Sequence, residues 1–106
     1  MTDYLQVSTT AATASEAERI ATTLVEKRLA ACVQIIPHVS SVYRWQGKVE
    51  QAKEWLCLAK TRRSRLPQVE AEICQLHGYE CPEIIAVTIE AGSSSYLSWL
   101  DEQLES

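Results

Sequence analysis

The chain contains no apolar run approaching the roughly 18 residues that a membrane-spanning helix needs, which excludes a spanning segment. Its opening, Met1-Thr2-Asp3-Tyr4, lacks the basic and then apolar stretches of a secretory signal, so a cytoplasmic protein is expected. Basic residues are in the minority, 10 against 14 acidic, and the formal charge of −4 repels both phosphate backbones and anionic membrane surfaces. Neither nucleic acid nor a membrane is an expected partner. The four cysteines, Cys32, Cys57, Cys74 and Cys81, form no Cys-x-x-Cys pair. They lie in apolar segments, which favours reduced, buried small hydrophobes over a metal or redox motif. No internal repeat or low-complexity tract is present, and 106 residues fit a single domain, 1–106, with one core layer between a sheet and its helices.

What is present centres on Val42 to Glu54, which predicts the tip of a long β-hairpin. Gln46-Gly47-Lys48 supplies the turn, with Gly47 free to take a positive φ, while Tyr43 and Trp45 alternate with Arg44 and share one face. Two such rings offer about 8–12 kcal/mol of burial as an upper bound, comparable to the net stability of a small domain. A chain this short has little spare core to cover them. Another copy of the chain is the expected lid.

Around the hairpin the periodicity alternates between strand and helix. Tyr4 to Thr10 alternates as a strand, and Thr13 or Ser15 can cap a helix whose apolar stripe is Ala17, Ile20, Ala21, Leu24 and Val25. Cys32 to Trp45 predicts a strand interrupted at Pro37, where a bulge or an edge position must absorb the missing N–H. The return strand runs to about Thr61, with Trp55 to Ala59 apolar on both faces as in a strand covered on both sides. Ser64 and Pro67 open a second helix striped with Leu66, Val69, Ile73 and Leu76, and Gly78 fits its C-terminal cap. Ile84 to Ile89 predicts a last strand, and a final helix capped near Ser93 to Ser95 carries Tyr96, Leu97, Leu100 and Leu104. The class is α+β, a ferredoxin-like βαββαβ sandwich with a long central hairpin and a C-terminal helix. Two helices cover one face of the sheet and leave the other open. Three protomers packing those faces about an axis would bury them, and two-fold pairing satisfies the same geometry.

Domains of this topology serve several chemistries, and this chain lacks the marks of three. A copper chaperone needs paired thiolates after the first strand, where this chain has Ser8-Thr9-Thr10-Ala11-Ala12. An acylphosphatase-like enzyme needs an arginine and a phosphate-cradling loop there. An RNA-recognition module needs stacking aromatics on central strands, and Trp55 is the one aromatic of the return strand. A polar cluster remains, Glu50, Glu54, Lys60, His77, Tyr79, Glu80 and Glu83, expected near the hairpin base. His77 reads first as a helix C-cap and second as a metal ligand. Glu50 and Glu54 share a strand face and read first as solvated or lysine-paired. Lys60, following an apolar run, needs a partner, for which Glu83 is the candidate.

These residues resemble a known family. Leu29-Ala30-Ala31-Cys32, Ile36-Pro37, Tyr43-Arg44-Trp45-Gln46-Gly47-Lys48, Lys60-Thr61, His77-x-Tyr79-Glu80-x-Pro82-Glu83 and Tyr96-Leu97-x-Trp99 are similar to the CutA divalent-cation-tolerance proteins across almost the whole chain. The resemblance implies an interlocked homotrimer of PII-like architecture, bacterial cytoplasm, and a loose link to copper and other divalent cations; a non-enzymatic role with no required cofactor is the expectation. The metal site of some members uses a cysteine after the first strand and two adjacent histidines. Here Thr9 and Leu76-His77 stand at those places, so the resemblance leaves His77 as the metal candidate and implies weak contact with Cu²⁺ or another divalent cation. Tyr43, Trp45, Glu50, Lys60, Tyr79, Glu83 and Trp99 are the expected lining of clefts between subunits. The second reading is a PII-like sensor of a small anionic metabolite or nucleotide, held by Lys60 and backbone amides near the first helix.

Overall fold

A computed structural model of the chain describes residues 3–105; Met1 and Thr2 of the N-terminal stretch, and Ser106, lie outside the described residues. In chain order the elements are β1 (Tyr4–Ala11), α1 (Ala14–Glu26), β2 (Cys32–Trp45), β3 (Lys48–Arg62), a 3₁₀ turn (Arg63–Arg65), α2 (Leu66–Leu76), β4 (Ile85–Thr88) and α3 (Ser94–Leu104). The strands form one antiparallel sheet in the order β2-β3-β1-β4. That order, with helical crossovers after β1 and β3, is the split β-α-β arrangement.

The hairpin dominates the shape, stretching the molecule to 45 × 25 × 23 Å. Its arms are 14 and 15 residues long, well beyond the usual 5 or 6. Gln46 and Gly47 both take positive φ, 51° and 80°, as a two-residue turn matched to strand twist requires, and Lys48 already pairs with Trp45. Pro37 sits on the edge strand, and the register shifts between Ile36 and Val39, with His38 at φ 66°. Both expectations for that proline are met at one bulge.

Leu5, Val7 and Ala59 from the sheet meet Ile20, Leu24, Val69 and Ile73 from α1 and α2 in the main core. Val25 does not join them; one residue on from Leu24 it has turned about 100° round the helix and is exposed. Thr13 caps α1, its hydroxyl accepting the Glu16 N–H at 3.1 Å. Glu16 does not close the reciprocal box. Its carboxylate accepts instead from the N–H groups of Ala12 and Gly78, at 3.4 and 3.0 Å, which ties the start of α1 to the loop after α2. Gly78 is accordingly no left-handed cap. His77, in extended conformation, caps α2, and a Cβ on Gly78 would lie 2.8 Å from the Glu16 carboxylate.

All four cysteines are free thiols as expected, and Cys57 alone is also buried. Burial and then the charge of Glu16 push its thiol up to about 11. Cys32 is half-buried, whereas Cys74 and Cys81 are exposed, because Cys74 follows Ile73 round to the solvent side of α2 and Cys81 lies in the loop. On β3, Cys57 and Ala59 face the helices and are buried, while Leu56 and Leu58 face the other way and are only half-covered. That second face carries Ile36, Leu56, Leu58, Ile85 and Val87 on β2, β3 and β4, with Thr10, Ser8 and Gln6 of β1 in register between them.

This second face is not wholly open, since α3 packs Leu100 and Leu104 against Ala31 and Tyr4 at one end of it. A polar latch holds α3 there. The Tyr4 hydroxyl donates to Asp101 at 2.8 Å, and the Arg62 guanidinium lies over the Tyr4 ring at 4.9 Å. Arg62 also donates to Asp101 at 2.6 Å and to Asp3 at 3.2 Å. Arg28 and Arg65 donate to the carbonyls of Gln103 and Leu104, placing cations at the negative end of the helix. Burial pushes the Asp101 carboxyl upward, but hydrogen bonds from Tyr4 and Arg62 and the guanidinium charge outweigh it and hold it below 3.8. A depressed carboxyl stabilises the fold above its unfolded value and loses that contribution as pH falls through its folded value. Melting curves should therefore show wild type losing stability on acidification below about pH 4 more steeply than Asp101→Asn, which starts from a lower plateau at pH 7 by up to about 1 kcal/mol. Equal slopes would remove the latch as an acid-sensitive element.

Candidate functional site

Where the hairpin leaves the sheet, the loop after α2 folds up beneath it and encloses a cleft of about 760 Å³. Tyr43 and Trp45 from β2, Glu54 from β3, Thr10 from the end of β1, and Tyr79, Glu80 and Glu83 from the loop line it. The hairpin rings are therefore not bare. Tyr43 and Trp45 remain 41% and 44% exposed, with the rest covered by their own chain.

His77 organises the loop from behind. Its side chain is fully buried, with Nε2 2.5 Å from the Thr10 carbonyl oxygen and Nδ1 accepting the Tyr79 N–H at 3.1 Å. The pattern is that of a neutral imidazole carrying its proton on Nε2. Each ring nitrogen is engaged within the chain, so His77, at the C-cap of α2 as first expected, clamps the loop to the end of β1. The ring also packs on Tyr79, centroids 4.8 Å apart. Tyr79 in turn donates its hydroxyl to Glu54 at 2.7 Å. Burial first, then the hydrogen bond and charge of Glu54, raise the Tyr79 phenol, which stays protonated as the donor.

Of the expected lining residues, the structure brings together Tyr43, Trp45, Tyr79 and Glu83. Lys60 shares the face of Glu54 but lies six residues further along β3, about 20 Å at strand rise. It donates to Gln34 at 2.6 Å, not to Glu83. Glu50 pairs in register with Tyr43 toward the hairpin tip, exposed and outside the lining. Trp99 is on α3, stacked against Tyr96 with centroids 5.5 Å apart. Thr10, Glu54 and Glu80 are among the members that the expected lining left out, although Glu54 and Glu80 were in the polar cluster expected near the hairpin base. Glu54 had a legible signal, an acid on the same strand face as Leu56 and Leu58, whereas Thr10 enters through backbone placement that residue type does not encode. Among the described residues no group of three or more His, Cys, Asp or Glu is placed to hold a metal ion. No helix among them is long and apolar enough to cross a membrane.

Known proteins share this architecture. The divalent-cation tolerance protein CutA of Archaeoglobus fulgidus is 45% identical over 96 residues, covering 91% of this chain and 93% of the relative. That of Thermus thermophilus is 48% identical over 86 residues, covering 81% and 84%. The mouse Protein CutA is longer, and the chain spans about half of it (51%) at 43% identity. A crystal structure of CutA1 from Shewanella sp. SIB1 superposes with a TM-score of 0.95 at 39% identity, covering 99% of this chain and 98% of that one. Other relatives carry the words periplasmic, for the Archaeoglobus structure, and chloroplastic, for the Arabidopsis thaliana protein. The family model for the CutA1 divalent ion tolerance protein matches residues 5–103, and on that match, together with these identities, the chain belongs to the CutA1 family.

Proposed function

We propose that this protein is a single-domain, non-enzymatic homotrimer that acts in the cytoplasm in the response to copper and other divalent cations. Its working site is the aromatic and acidic cleft, roofed by a neighbouring copy. The observation that carries the reading is the charge of that lining, three carboxylates with no lysine, arginine or histidine. Such a cleft concentrates cations and repels anions, which sets aside the small-anion sensor, whose Lys60 lies elsewhere. Metal contact is weak and made through retained waters, drawn by the negative charge of the lining and not by a convergent ligand set, since among the described residues none is placed. Assembly is supported by the uncovered apolar face of Ile36, Leu56, Leu58, Ile85 and Val87, which a second and third copy would bury.

Cu²⁺ titration by calorimetry, run beside multi-angle light scattering, tests both halves. The expected result is a three-chain mass and a shallow, saturable Cu²⁺ uptake that diminishes in Glu83→Gln. A monomer mass removes the assembly, and a flat titration removes direct metal contact.

A further inference from the structure

We infer that the cleft selects a small organic cation, an alkylammonium or guanidinium compound, and that bare divalent ions are its weak competitors. This rests on the proposal that the cleft takes cations, and it names their class. A metal ion needs several oxygen or nitrogen ligands converging on a point, and among the described residues no such group is placed. The cleft offers instead three aromatic rings, Tyr43, Trp45 and Tyr79, beside Glu54, Glu80 and Glu83, in a volume suited to a small molecule. Faces of indole and phenol rings attract ammonium and guanidinium groups, and their walls cover the attached methylenes, for which a hydrated metal ion has no counterpart.

Glu54 supplies the independent sign that something cationic is missing. It is only 6% exposed, yet no lysine, arginine or histidine among the described residues lies within ion-pairing distance. Among the described residues its hydrogen-bond partner is the neutral Tyr79 hydroxyl, on Oε2. A buried carboxylate without a countercharge destabilises a fold, and one that lines a cleft is compensated when a cation enters. The clamp behind it fits that duty: Glu16 holds Gly78, and His77 holds the Tyr79 N–H. The acceptor is thereby fixed before the ligand arrives.

The test is calorimetric titration of the intact protein with spermidine, agmatine and tetramethylammonium, with 1,4-butanediol, succinate and Cu²⁺ as comparisons. Saturable binding of at least one organic cation is expected, weakened by salt and weakened at least about tenfold in Glu54→Gln. Unliganded Glu54→Gln should also melt higher than wild type, since it keeps an acceptor for Tyr79 and loses the buried charge. A merely structural glutamate would leave binding in place. Glu83→Gln, on the exposed rim, repeats the comparison should the first variant fail to fold. Butanediol binding as well as the amines, succinate binding in their place, or cations held equally by both variants would each overturn the inference. Saturable Cu²⁺ uptake with no organic cation bound overturns it while leaving the metal-response reading intact. A monomer mass in light scattering removes the trimer and the roof it lends the cleft, while the cation lining, which one chain supplies, is still judged by the titration.

Discussion

Trp45→Ala is expected to shift the assembly to lower mass in light scattering and to lower its melting temperature by about 10 °C or more. The single chain leaves 44% of Trp45 exposed. For a ring of roughly 250 Å² that is about 110 Å², or close to 3 kcal/mol per copy if a neighbour covers it. Symmetry applies the loss at every contact of the proposed ring. The hairpin has few other anchors near its tip, where Val42 and Val49 are exposed, and the turn itself is stable without the indole because Gln46 and Gly47 set its geometry. Trp45→Phe should retain most of the assembly. An alanine variant of unchanged mass and melting temperature would place the indole's role wholly within its own cleft.

The elements were legible because the periodicities are clean. Alternation in β1, the 3-4 spacing of Ile20, Leu24, Val69 and Ile73, and the turn at Gly47 all appear where residue pattern puts them. The misplacements share a cause, since each concerns what a loop or a neighbouring element does with a side chain. Gly78 looked like a helix cap because glycine after a helix commonly is one. Its smallness serves the Glu16 carboxylate instead, a contact 62 residues distant in sequence. Lys60 and Glu83 looked like partners because a lysine after an apolar run needs one, but β3 carries Lys60 six residues beyond Glu54 of the cleft, where it donates to Gln34. The cleft was half legible for the same reason. Alternation placed Tyr43 and Trp45 on one face, but only the path of residues 78–83 under the hairpin brings Tyr79 and Glu83 to meet them.

The sharpest consequence concerns His77. With the imidazole buried and bridging the Thr10 carbonyl and the Tyr79 N–H, His77→Ala leaves two polar groups without partners and removes a ring packed on Tyr79. Each orphaned group costs about 1–3 kcal/mol, so a total loss of about 2–4 kcal/mol is expected in denaturant melts, allowing for partial rescue by water. Tyr79 should then lose its fixed position and with it the 2.7 Å bond to Glu54, which tyrosine fluorescence and titration of the phenol can follow. That phenol should titrate nearer its ordinary value of 10.0, because burial and Glu54 are what raise it. Cu²⁺ uptake, measured on the folded fraction of the same variant, should change little, since neither nitrogen is available to the ion in the wild type. A variant that melts like wild type but takes up less Cu²⁺ would show the opposite, a ligand whose protein contacts are dispensable. The two roles predict opposite pairs of outcomes, and one purified variant distinguishes them.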